Sequence, residues 1–113
     1  MKQNEILVIY GKNYTILARQ LLEEAHLAEM IGDREKVIGI KPNLVAPVPA
    51  EDGGTTHPEV VEGLIQYLQE HGFRNLRIME GSWVGDRTEE SFEVCGYTAL
   101  AEKYGVQLID AQK

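Results

Sequence analysis

Three side chains able to hold or move a proton stand where short apolar or helical patterns begin or end: Lys41, His57 and Glu80. Lys41 directly follows the apolar run Val37-Ile38-Gly39-Ile40. An amine leaving a buried strand projects from a low-dielectric floor, which suits it to anchor an anion or a carbonyl. The competing reading pairs it with Glu80 at a neighbouring strand end. Asn43, after Pro42, can offer its amide to a ligand or close an Asx turn on the loop backbone. Thr55 and Thr56 precede a helical pattern, and a helix start favours a phosphate or carboxylate. Capping alone also accounts for Thr56. His57 is not needed for capping and is a candidate base or metal ligand, set against a purely structural role. Glu80 follows Leu76-Arg77-Ile78-Met79, where desolvation drives a carboxyl upward unless it is paired. Glu80, His57 and Asp86 together have the donor types of a hard-cation site, without a tight ligand spacing. Ser82 is a further ligand-binding candidate beside Glu80. Trp83 is either a lid or an oligomer contact, and Gly81 and Gly85 supply the turn's backbone freedom.

The elements that must position these residues follow from periodicity. Ile6-Leu7-Val8-Ile9-Tyr10, stopped by Gly11, reads as a strand buried on both faces. Ile16 to Ile31 repeats at three-to-four spacing, giving one amphipathic helix that ends at Gly32. Val37–Ile40 is a second strand, and the prolines from Pro42 to Pro49 make Pro42–Thr55 a loop. Thr56-His57-Pro58-Glu59 fits a capping box with proline in the first turn. Val60, Val61, Leu64, Ile65 and Leu68 continue it as a helical face, stopping at His71-Gly72. Leu76–Met79 is a third strand. A third helix is capped by Asp86 or Thr88, interrupted at Gly96 and ended at Tyr104-Gly105. Val106–Ile109 is a fourth strand. In that helix Glu89, Glu90 and Glu93 form a solvated face, and Cys95 is a small buried hydrophobe.

The order β-α-β-α-β-α-β predicts an α/β fold: a mainly parallel four-stranded sheet in a three-layer α-β-α arrangement. Ligands of such sheets gather at the carboxyl ends of the strands, where Lys41, Asn43, Glu80 and Ser82 fall. The 113 residues suit one domain, 1–113. With 43% hydrophobic and 26% charged residues, the composition is globular. A net charge of −7 disfavours a nucleic-acid partner. The single Cys95 excludes an internal disulfide and suits a reducing cytoplasm. It also excludes a cysteine-held iron–sulfur cluster within this chain. No signal peptide or membrane span is expected. The absence of GxGxxG after the first strand, of GxxxxGK[ST] and of GxSxG removes dinucleotide, P-loop and nucleophile-elbow readings.

Val37-Ile38-Gly39-Ile40-Lys41-Pro42-Asn43-Leu44-Val45, Gly54-Thr55-Thr56-His57-Pro58-Glu59-Val60-Val61 and Glu80-Gly81-Ser82 together resemble the N-terminal half of the domain of unknown function family 362. Gly96-Tyr97, Leu100-Ala101 and Tyr104-Gly105-Val106 extend the likeness to most of residues 37–110. The resemblance implies longer members, many accompanied by a ferredoxin-like segment with four-iron–four-sulfur motifs. This chain departs from that pattern in its cysteine count, so a cluster is expected only in further sequence or a partner. It reads as the N-terminal portion of a longer family protein or as a short paralogue. The expected function is binding of a small anionic or metal-bound ligand at the strand ends, in support of redox chemistry done elsewhere. Lys41 and the Thr56 helix start would hold the anion, and Glu80 or His57 would move a proton. The rival is a non-catalytic module in which Trp83 and the proline loop mediate homodimerisation or docking to a C-terminal domain.

Overall fold

The computed structural model describes residues 3–44, 47–81 and 88–111. It is an α/β protein with a parallel sheet, built from two compact units: Met1–Lys36 with Glu59–Arg74, and Val37–Pro58 with Asn75–Lys113.

The first unit is helical. α1 (Tyr14–Ala25) begins where the Asn13 side chain accepts the Ile16 N–H at 3.1 Å, occupying one of the unpaired first-turn donors. The expectation of one helix through to Gly32 is corrected at His26, which takes a left-handed conformation (φ 56°) and separates α1 from α2 (Leu27–Ile31). The cause is tertiary: the Ala28 N–H, an orphan donor of the restarted helix, donates to the buried Tyr67 hydroxyl at 2.9 Å.

Tyr67 lies on α3 (Pro58–Glu70), which starts at the expected proline and buries Val61, Gly63, Ile65, Tyr67 and Leu68. Gly63 is where α1 and α3 approach most closely: a Cβ there would sit 2.5 Å from the Thr15 carbonyl oxygen and 2.8 Å from Ala18 Cβ. Arg19 on α1 donates to Gln66 Oε1 at 3.0 Å and to Glu70 Oε1 at 2.6 Å on α3. At the far end, Arg34 donates to the carbonyls of Ala28, Gly32 and His71, serving the last turns of α2 and α3 together. Its guanidinium also lies 4.8 Å above the Phe73 ring centre.

The run Ile6–Tyr10 corrects a second expectation. It is not a strand, and Ile6, Val8 and Tyr10 are 87%, 67% and 90% exposed. The backbone groups of residues 5–12 pair with no described residue, and a strand exists only through its ladder.

The second unit holds the sheet. Among the described residues it has three strands rather than four: β1 (Ile38–Ile40), β2 (Leu76–Glu80) and β3 (Gln107–Asp110), parallel and in that spatial order. Ile38 pairs with Leu76 and Ile40 with Ile78; on the other side Ile78 pairs with Leu108 and Glu80 with Asp110. β2 alternates, with Leu76, Ile78 and Glu80 buried and Arg77 and Met79 exposed. A 3-10 turn at Ala50–Asp52 breaks the expected continuous loop, and Ala50 is its buried residue. α4 (Thr88–Val94) and α5 (Tyr97–Tyr104) flank Gly96, whose φ of 86° a side chain rarely adopts, so the expected interruption stands. Thr88, Ser91, Phe92, Cys95, Tyr97, Leu100 and Ala101 are their buried residues.

Candidate functional site

β1 and β2 run parallel, so their carboxyl ends deliver consecutive residues to one edge. Lys41 is the first residue beyond β1 and Glu80 is the last of β2. The Lys41 ammonium lies 3.1 Å from Glu80 Oε2, with side-chain exposures of 68% and 4%. The same oxygen accepts the Leu44 N–H at 3.0 Å, and Glu80 Oε1 accepts the Gly81 N–H at 2.8 Å. Burial by itself would push the Glu80 carboxyl up. The Leu44 and Gly81 N–H groups and the Lys41 ammonium outweigh it and hold the carboxyl below its ordinary value. Glu80 is therefore a fixed carboxylate, and its charge-assisted bonds reach both strand ends.

The loop after Lys41 is closed by a reciprocal pair. The Asn43 N–H donates to the Thr56 hydroxyl at 2.8 Å and the Thr56 N–H donates to the Asn43 carbonyl at 2.9 Å. The Asn43 amide also donates to the Gly54 carbonyl at 3.1 Å, which is the loop-closing alternative read from the sequence. Leu44, fully buried, sits between this clasp and Glu80. Deeper in the loop, the Val48 carbonyl accepts from the Thr55 hydroxyl at 3.0 Å and from the Cys95 thiol at 3.1 Å. Burial pushes the Cys95 thiol up, against the opposing pull of its Thr55 and Val48 hydrogen bonds. The Tyr97 hydroxyl donates to the Thr56 carbonyl at 2.9 Å, so α5 secures the clasp as well.

Lys41, Asn43, Thr56 and Glu80 are thus joined through Leu44 in one hydrogen-bonded chain. Thr55 is buried beneath the loop, and His57 is half-buried, next after Thr56 and before α3. Ser82, Trp83, Gly85 and Asp86 lie outside the described residues, and with Asp86 goes the cation site drawn from the sequence. Among the described residues no three His, Cys, Asp or Glu side chains cluster to hold a metal. Sequence reasoning missed the Leu44 and Gly81 N–H donors and the Tyr97 hydroxyl. The available signal was an apolar leucine after a polar strand end, and a tyrosine directly after the helix-breaking Gly96.

The class defined is an α/β unit with a parallel sheet and a strand-end cluster that joins Lys41, Asn43 and Leu44 to Thr56, Glu80 and Gly81. The family model described as "Domain of unknown function (DUF362)" matches residues 38–113, and the chain belongs to that family. The chain is also similar to the 1,4-alpha-glucan branching enzyme GlgB of Prochlorococcus marinus (strain MIT 9515), 34% identical over 96 residues. The corresponding enzyme of P. marinus subsp. pastoris is 33% identical over 96 residues. These alignments cover 73% of this chain and 12% of each enzyme, so the chain spans about an eighth of the curated relatives it matches. No solved structure matches it. No helix among the described residues is long and apolar enough to cross a membrane.

Proposed function

We propose that the carboxyl ends of β1 and β2 bind a small anionic or metal-bound ligand, with the Lys41 ammonium as the anion contact. The observation that carries this reading is an exposed ammonium held by a buried, ionised carboxylate. An ammonium has three donors, and the bond to Glu80 takes one, which leaves two for a further acceptor. Glu80 then acts as the positioning residue rather than as a proton carrier, because its hydrogen bonds favour the ionised form. His57 is the group assigned to move a proton, since an imidazole carries a donor and an acceptor nitrogen on one ring. Asn43, Thr55 and Thr56 shape the loop wall. Ser82, Trp83 and Asp86, following Gly81, are the proposed remainder of the ligand contacts.

The reading extends to redox proteins of the kind the family resemblance implies, in a reducing cytoplasm. A cluster ligated by four thiolates does not fit a chain with one cysteine that is buried and bonded to a carbonyl, so any such cluster would be held by other cysteines. The branching-enzyme similarity favours a second reading, contact with a glucan chain. Calorimetric titration of the protein with inorganic phosphate, acetate, magnesium, manganese and a malto-oligosaccharide tests both. Heat with phosphate or acetate that disappears in Lys41→Ala supports the anion reading. Heat with the oligosaccharide alone replaces it with the glucan reading, and silence across all five probes ends both.

A further inference from the structure

Tyr97 opens α5 directly after Gly96 and is fully buried. A phenyl ring would fill the same space without carrying a hydroxyl into the core, where an unbonded one is costly. The hydroxyl has a single proton to give, and it goes to the Thr56 carbonyl at 2.9 Å. That carbonyl shares one rigid peptide unit with the His57 N–H, so the bond fixes the backbone plane that leads into His57.

Thr56 passes the constraint on. Its N–H donates to the Asn43 carbonyl at 2.9 Å, and its hydroxyl accepts the Asn43 N–H at 2.8 Å. The Asn43 carbonyl and the Leu44 N–H belong to the next peptide unit. A bond received at that carbonyl therefore polarises the bond given by that N–H, which runs to Glu80 Oε2 at 3.0 Å. The same oxygen accepts from the Lys41 ammonium at 3.1 Å. Every member of this relay lies in the second unit.

We infer that Tyr97 is the positioning residue of the strand-end site. By holding Thr56 it sets, through Asn43 and Leu44, the place of the Glu80 carboxylate and with it the Lys41 ammonium. The relay rests on hydrogen bonds alone, whereas its effect on a bound anion rests on the ligand reading. Control of the site thus comes from α5, a helix that contributes no side chain to the proposed ligand contacts.

The test compares Tyr97→Phe by 15N-resolved NMR with the parent protein and with Tyr67→Phe. The second variant loses a buried hydroxyl in the first unit and controls for lost stability. The expected result is an upfield move of the Leu44 amide proton in Tyr97→Phe, as its bond to Glu80 weakens, and no move in Tyr67→Phe. In calorimetric titration with inorganic phosphate, Tyr97→Phe weakens binding by up to about fivefold, the net worth of one neutral hydrogen bond, and Tyr67→Phe leaves it unchanged. A Leu44 signal that stays in place in Tyr97→Phe, or moves equally in both variants, overturns the proposal. So does phosphate binding as tight in Tyr97→Phe as in the parent. A parent protein silent toward phosphate counts against the ligand reading instead, and the Leu44 signal still decides the relay.

Discussion

Lys41 Nζ stands 3.1 Å from Glu80 Oε2, joining two strand ends that lie 39 positions apart in the sequence. The two partners are unequal: the lysine side chain is 68% exposed and the glutamate 4%. The carboxylate is structural in its burial, and the ammonium is the part offered to solvent. Removing the lysine therefore leaves Glu80 with two N–H donors, whereas removing the carboxylate leaves the Leu44 N–H without its acceptor.

That asymmetry gives an acid-stability prediction. The folded-state pKa of Glu80 lies below its ordinary 4.5, so its contribution to stability is full above that pH. The contribution is lost as pH falls from there through the folded value. The urea midpoint should fall in this acid window, and in Glu80→Gln the fall should be shallower. At neutral pH, Glu80→Gln should cost about 2–3 kcal/mol, because charge-assisted bonds become neutral ones.

Gly63→Ala tests the close approach of α1 and α3. Alanine is the better helix former by about 1 kcal/mol, which alone would stabilise α3. A methyl 2.5 Å from the Thr15 carbonyl oxygen cannot be accommodated without backbone movement. Net destabilisation of about 1–3 kcal/mol is expected in urea unfolding. A stabilised variant would mean that the helices sit farther apart.

Tyr67→Phe removes the acceptor of the Ala28 N–H and keeps the ring. A loss of about 1–3 kcal/mol is expected, the cost of a stranded buried donor. Hydrogen exchange at the Ala28 amide should accelerate more than exchange at α1 amides, because α2 is short and depends on this bond.

Cys95 is buried, donates to the Val48 carbonyl and has its thiol pushed up by burial. Reaction with a thiol reagent at neutral pH should be slow in the folded protein and fast in denaturant, since the thiolate is the reactive form. Fast labelling of the native chain would contradict the burial.

Much of this arrangement is legible in the sequence where the deciding physics is local. Proline at the first turn marks α3, and Gly96 marks the break between α4 and α5. The alternation of Leu76, Ile78 and Glu80 with Arg77 and Met79 belongs to a strand with unequal faces. The pairing of Lys41 with Glu80 is one of two readings open from residue types, since both lie at strand ends. The split of the first helix at His26 is not legible, because its cause is a hydroxyl 39 positions from the amide it binds. Ile6–Tyr10 misleads for a related reason: apolarity is carried by five residues, but a ladder needs a second strand. The role of Leu44 is equally hidden, as a backbone N–H has no signature in residue type.

The most direct test of the strand-end site is a 15N-resolved NMR titration with inorganic phosphate. Saturable shifts at the amides of Leu44 and Gly81, lost in Lys41→Ala while the rest of the spectrum stays folded, are the expected result. Phosphate that leaves those two amides unmoved, or shifts that persist unchanged without the lysine, would contradict the account.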